Sequence, residues 1–192
     1  FIPLDIPFPT SVQPRIQPSG GGLALIEALA THFENNGGTI VYETTARELM
    51  QNERGEITGV KAVTRPNRPC EFSARAVILG CGGFEANVQM RTQHIGPLVG
   101  AAKVRGTPYN QGDGLRMAMA IGAMPWGQWS GCHATPISAD WGDFAPREFT
   151  DRSNRLSYHY GLMINRRGKR FVDEGEDGNL FTYAKFGRAI LA

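Results

Sequence analysis

The residue types best suited to chemistry sit in short, irregular stretches of the chain. His133 lies in Trp129-Ser130-Gly131-Cys132-His133-Ala134, an aromatic-rich segment where an imidazole can bind or protonate a carboxylate. A lone histidine there is equally a surface or a satisfied one. His159 stands between Tyr158 and Tyr160 with no further context. Gly80-Cys81-Gly82-Gly83 follows the apolar run Ala76-Val77-Ile78-Leu79. Glycine at such a place removes the Cβ that would hold a cofactor off the backbone, although a tight turn or close strand–helix packing produces the same pattern. Ser19-Gly20-Gly21-Gly22 precedes a helical pattern, where exposed N–H groups and the helix dipole can hold an anion such as phosphate, or where the loop is simply flexible. Gly112-Asp113-Gly114 can bring a carboxylate to a cofactor, against the commoner reading of Asp113 as a helix N-cap. The fingerprint G-x-G-x-x-G is absent from the sequence.

These stretches need elements to position them. Residues 1–19 carry prolines at 3, 7, 9, 14 and 18 and read as an extended, irregular lead-in. Leu23, Ile26, Leu29 and Phe33 recur at helical spacing, and Gly37-Gly38 stops the helix. "TIVYET" follows as a short strand, then "ARELMQ" and "EITGVKAVT" as strands around a polar turn, then a turn and a further strand ending in the buried run 76–79. Residues 88–112 read as loop-rich. "QGDGLRMAMAIGA" predicts a helix capped by Asp113, with Leu115, Ala118, Met119 and Ile121 on one face and Gly122 at its end. Residues 124–160 show no period. "GLMINRRGKRFVDE" predicts a hairpin turning at 165–168. Arg170 and Glu174 flank apolar Phe171 and Val172, so one of the two charges is expected to turn inward.

The composition limits the function classes. With 20 Lys+Arg against 18 Asp+Glu, the charge balance gives no nucleic-acid tail and no polybasic membrane anchor. A 41% hydrophobic content supports a real core without any run long enough to span a membrane. Cys70, Cys81 and Cys132 never close a C-x-x-C, so neither a zinc site nor a disulfide framework is expected, and a reducing cytoplasmic setting is the default. The chain opens on Phe1-Ile2-Pro3 and is expected to be an internal piece of a longer protein.

In order, "PSGGGLALIEAL", "ITGVKAV", "ARAVILGCGGFEANVQM", "QGDGLRMAMAIGA", "WSGCHA" and "GLMINRRGKRFVDEG" resemble the flavoproteins of the fumarate reductase and succinate dehydrogenase superfamily. The corresponding family pieces are P-x-G-G, T-G-V, V-V-L-A-x-G-G-F, T-G-D-G-I-x-M-A-x-x-x-G-A and V-N-x-x-G-x-R-F-x-x-E. Within the superfamily, "WSGCHA" and "RFVDEGED…TYAKFGR" are most similar to the tricarballylate-dehydrogenating branch. Flavoproteins of precorrin metabolism are an alternative, ketosteroid dehydrogenases are more distant, and a non-catalytic scaffold is the remaining reading.

The resemblance implies a mixed α+β architecture: part of a Rossmann-like FAD domain over residues 1–87 and a truncated α+β capping domain over 88–192. It implies that Gly80, Cys81, Gly82 and Gly83 lie against FAD, and that Ser19, Gly20, Gly21 and Gly22 form the P-x-G-G turn near it. Ala46 falls where a strand passes the adenine. Gly112, Asp113 and Gly114 match the T-G-D-G segment, with Gln111 in place of threonine. His133 matches the histidine that contacts a substrate carboxylate in fumarate reductases. The implied chemistry removes two hydrogens from adjacent carbons of a small polycarboxylate, with hydride passing to flavin N5 and the second proton to a base among His133, Tyr158 and His159. The implied partner is a membrane-bound electron-transfer protein, with the enzyme cytoplasmic and peripheral to the inner membrane. Lacking the phosphate loop, the chain by itself is expected to bind FAD weakly or not at all. One departure stands out: the proton-donating arginine of fumarate reductases falls on Gly178, and no arginine lies between Arg170 and Arg188. That departure fits a dehydrogenase, which accepts a proton, better than a fumarate reductase.

Overall fold

The computed structural model describes residues 2–3, 16–140, 142–144, 158, 161–176 and 182–192. The chain is a mix of helix and strand and divides into two compact units, one of Phe1–Thr45 with Thr64–Arg68, the other of Ala46–Val63 with Pro69–Ala192.

In the first unit two short strands form at the described ends of the lead-in. Strands β1 (Ile2–Pro3) and β2 (Ile16–Gln17) pair antiparallel, Ile2 opposite Gln17. Helix α1 (Gly21–Asn35) forms where the apolar spacing placed it. It ends as glycine-stopped helices do: Gly37 is left-handed, and the Gly38 N–H returns to the Phe33 carbonyl at 3.0 Å. The expected strand over 39–44 does not form. Tyr42-Glu43 turns instead, with Glu43 at φ 51°, and extension starts only at Thr44.

Strands β3 (Thr44–Gln51), β4 (Ile57–Thr64) and β5 (Arg68–Ser73) make one sheet in the order β3-β4-β5. Connections this short join antiparallel neighbours. The first turn is built by Asn52, whose side-chain oxygen accepts the N–H groups of Arg54 and Glu56 at 3.0 and 2.9 Å. The T-G-V glycine, Gly59, lies so close to β5 that a Cβ there would stand 2.1 Å from the Phe72 carbonyl oxygen.

The run Ala76–Leu79 is not the buried strand its residue types predict. It forms no ladder, and Ile78 is 95% exposed. A strand exists through its neighbours' hydrogen bonds, and no described segment pairs with this one.

The second unit's core lies further along. The stretch expected to be loop-rich contains helix α2 (Val88–His94), whose Asn87 N-cap accepts the Met90 N–H at 3.0 Å, and the single-turn helix α3 (Pro97–Gly100). Helix α4 (Asp113–Ala120) matches its sequence pattern, but Gly112 rather than Asp113 is the N-cap. Its buried face carries Gly114 and Met117 instead of the Leu115–Met119 face expected. The 165–168 turn forms, with Asn165 accepting from the N–H groups of Arg167 and Lys169, but the flanking strands shrink to one Ile164–Arg170 bridge. Leu162 and Ile164 stay exposed, so no buried face supports a longer ladder. Helix α5 (Tyr183–Leu191) carries Phe186, which is fully buried.

Candidate functional site

The glycine turn at 80–83 and the Q-G-D-G segment are brought together as one piece. The Gly112 N–H donates to the Gly83 carbonyl at 3.0 Å, and the Ala86 N–H to the Asn110 carbonyl at 3.0 Å. Asn87 Nδ2 donates to the Gln111 carbonyl at 2.9 Å, and Gln111 Nε2 returns a bond to the Ala86 carbonyl at 3.3 Å. Glu85 accepts a hydrogen bond from Asn110 Nδ2. Gly112 sits at φ 79°, and a Cβ there would meet Met90 Sδ at 2.6 Å. Gly114 packs on Cys81, which a Cβ would approach within 3.1 Å. Asp113 is neither a cap nor a free carboxylate; it pairs with Arg116 one turn on.

Next to this platform the backbone at Gly80–Gly82 is exposed, and a Cβ built at Gly80 would meet nothing within 4 Å. Side-chain-free, exposed backbone after an apolar run fits the flat face of a ring system. Gly80, Gly82 and Gly83, with Cys81 between them, form this exposed turn, and Gly82 is left-handed at φ 70°. Ser19, Gly20, Gly21 and Gly22 lie in the first unit. Gly20 is the left-handed N-cap of α1 and Gly21 is also left-handed. Ala46 lies in β3, half-buried.

An aromatic cluster that sequence reasoning missed links the glycine turn to the histidine segment. Phe84 stacks on Trp129 at 5.8 Å between centroids, and His94 meets Trp129 edge-on at 4.9 Å. Trp129 opens W-S-G-C-H, so the stack ties His133 to the turn on which Phe84 sits.

His133 is exposed and borders a cavity of about 480 Å³ within the second unit. Its charged lining is Arg91, Lys103, Arg105 and Glu85, with Cys132 and Thr135 beside His133. Helix α5 lines it with Gly187, Ile190 and Leu191; Gly187 is needed because a Cβ would stand 2.4 Å from the Thr135 nitrogen. Arg91 is the unexpected member. It is 6% exposed and donates to the carbonyls of Glu85, Gly100 and Ala102, each at 3.0 Å. Burial pushes its guanidinium below the ordinary value. An arginine in a polar helical stretch gives no sequence signal of burial.

Of the other candidate bases, Tyr158 is buried, its ring edge-on to Phe186 at 5.1 Å and its hydroxyl 3.4 Å from Thr182 Oγ1. His159 lies outside the described residues. Of the charges around Phe171 and Val172, Glu174 is the inward one, 3% exposed. It accepts the Met163 N–H and, at 2.7 Å, Arg170 Nε; together these hold its carboxyl down from the usual 4.5 to about 2. Among the described residues no cluster suits a metal ion, and no helix is long and apolar enough to cross a membrane.

Comparison with known proteins matches residues 5–192 to the family model described as FAD binding domain. The 4-oxocyclohexanecarboxylate 2-dehydrogenase of Sinomonas cyclohexanicum is 29% identical over 161 residues, 82% of this chain and 28% of that protein. The 3-oxosteroid 1-dehydrogenase of Mycobacterium tuberculosis H37Rv is 30% identical over 165 residues, 81% of this chain and 27% of that protein. The open conformation of a flavocytochrome c3 fumarate reductase superposes with a TM-score of 0.67 at 23% identity, over 91% of this chain and 29% of that one, which shows a shared fold. The chain thus spans under a third of the length of each of these proteins.

Proposed function

The chain belongs to the FAD binding domain family, and on that premise we propose that it is part of an oxidoreductase that desaturates a small polycarboxylate, with tricarballylate as the proposed substrate. The supporting observation is one cavity bordered by His133, Arg91, Lys103 and Arg105 in the same unit as the exposed glycine turn. Glu85 is the acidic member of that lining, and its carboxylate is engaged by Asn110. Cationic side chains on a partly apolar wall suit an anionic substrate with a short carbon body.

Bound FAD supplies the two-electron acceptor for the substrate hydride. The chain's own residues hold the substrate and manage its proton. His133 anchors a carboxylate, the Phe84–Trp129 stack keeps the His133 segment beside the glycine turn, and Gly80, Gly82 and Gly83 present no Cβ to the ring. This reading makes residues 1–87 part of a Rossmann-like FAD domain and 88–192 part of its cap. It needs a membrane-bound electron-transfer partner and a cytoplasmic location beside the inner membrane.

A second reading, a ring ketone, draws support from the names of the Sinomonas and mycobacterial relatives. The cationic lining favours a carboxylate-bearing member of that class over a neutral steroid. Anaerobic addition of tricarballylate to the whole flavin-loaded protein decides between them: the reading expects loss of the 450 nm flavin band with tricarballylate and none with a neutral 3-oxosteroid. The reverse result, or a whole protein that binds no flavin, overturns it.

A further inference from the structure

We infer that Gly187 is a positioning residue: through it helix α5 packs on the backbone of Ala134 and Thr135, and that contact sets where the adjoining His133 stands in the cavity. The inference rests on the proposed anchoring role of His133 and adds the element that places it.

Helix propensity argues against a glycine at 187. The residue is buried in the middle of α5, where alanine is preferred because glycine gives up more backbone freedom on folding. The contact accounts for it. A Cβ at Gly187 would stand 2.4 Å from the Thr135 nitrogen, 2.5 Å from the Ala134 carbonyl carbon and 2.7 Å from Thr135 Cα. All three are backbone atoms, so no change of side-chain rotamer relieves the approach. Bringing a 2.4 Å contact to an ordinary van der Waals separation opens a gap of about 1 Å between helix and segment.

The two sides of the contact differ in stiffness. Helix α5 is held by Phe186, fully buried and edge-on to Tyr158 at 5.1 Å, and by buried Thr182 at its start, whose hydroxyl lies 3.4 Å from that of Tyr158. Residues 131–138 form neither helix nor strand. The irregular segment is therefore the side that yields, because fewer bonds hold it in place. His133 directly precedes the two residues that would be displaced, and Gly187, His133, Ala134 and Thr135 line one cavity. A misplacement of about 1 Å in a substrate-holding group can cost on the order of 100-fold in rate. The absence of one methyl group on α5 thus fixes the position of a histidine on a neighbouring segment.

The test uses the whole flavin-loaded protein with Gly187→Ala, and with Ala189→Gly as a control on the same helix outside the cavity lining. Propensity alone would raise the urea midpoint of Gly187→Ala; the close approach should lower it. Diethyl pyrocarbonate labelling of His133, read by mass spectrometry against His32, should change about threefold or more in Gly187→Ala and stay at the wild-type rate in Ala189→Gly. In Gly187→Ala, kcat/KM for tricarballylate should fall about 10-fold or more, chiefly through KM, with little further loss when His133→Gln is added. A wild-type measurement tests the contact even where Gly187→Ala does not fold: the Thr135 amide, packed on α5, should exchange with deuterium about tenfold more slowly than that of exposed Gly127. A raised midpoint with unchanged His133 labelling, additive losses in the double variant, an equal KM change in Ala189→Gly, or a Thr135 amide as fast as that of Gly127 each overturns the inference. Altered labelling in Gly187→Ala with no effect of His133→Gln on turnover keeps the positioning contact and removes the anchoring role. Unchanged labelling with a large His133→Gln defect does the opposite.

Discussion

Asn87 Nδ2 donates to the Gln111 carbonyl at 2.9 Å across 24 residues of chain, while Asn87 Oδ1 caps α2 by accepting the Met90 N–H at 3.0 Å. One side chain therefore starts a helix and ties the Q-G-D-G segment to the loop that follows the glycine turn. Asn87→Ala loses both bonds and should cost about 1–2 kcal/mol in urea unfolding. Asn87→Asp keeps the cap acceptor and loses the donor, so it should cost less. Equal costs for the two variants would show that the cap contributes nothing, and a costless Asn87→Asp would show the same of the long-range bond.

Two glycines of the same platform should separate stability from cofactor binding. At Gly112 the left-handed backbone and the 2.6 Å approach to Met90 Sδ make alanine strained, at about 1–3 kcal/mol. At Gly80 alanine meets nothing within 4 Å. Gly80→Ala should leave the unfolding midpoint within about 0.5 kcal/mol of wild type and lower FAD occupancy of the whole protein. Unchanged flavin content in Gly80→Ala would remove Gly80 from the flavin face.

Glu174 should govern acid stability. Its folded value is depressed from 4.5 to about 2 by the Met163 N–H and by Arg170. A depressed carboxylate stabilises the fold fully above its unfolded value, and that contribution is lost as pH falls through the folded one. The melting temperature should therefore fall between about pH 4.5 and pH 2. Glu174→Gln should be less stable at neutral pH and show a shallower fall over that window. Parallel pH profiles for the two proteins would assign the acid limb elsewhere.

His133→Gln keeps a polar side chain and removes the imidazole. In the whole enzyme it should lower kcat/KM for tricarballylate about 10- to 100-fold, the loss of one hydrogen bond to a substrate carboxylate. An anchoring role raises KM with kcat little changed; a role as base lowers kcat and alters its pH profile. An unaltered kcat/KM would return His133 to the surface histidines.

Local features were legible before any folding was known. The stripe from Leu23 to Phe33, the stop at Gly37-Gly38, the Asn52–Gly55 turn and the Q-G-D-G helix depend on spacing and on backbone conformations that only a few residue types tolerate. The ordered motifs likewise resembled a flavoprotein family, and the match of residues 5–192 to the FAD binding domain family agrees with that. One overlooked sign was also local: Asn87, an N-cap type, stands directly before α2 in a stretch read as loop.

What the tertiary structure alone decided is which charges and apolar residues find partners. Ala76–Leu79 has the composition of a buried strand, yet Ile78 stays exposed because a strand is made by its neighbours. Arg91 looks like a surface arginine and is a buried one, since the carbonyls that receive it come from residues 85, 100 and 102 and converge only when α2 and α3 pack. Glu174 rather than Arg170 turned inward, because the carboxylate could accept both the Met163 N–H and the guanidinium that remained outside. Residue type dictates what a side chain can bond to; the path of the chain dictates which of those bonds lie within reach.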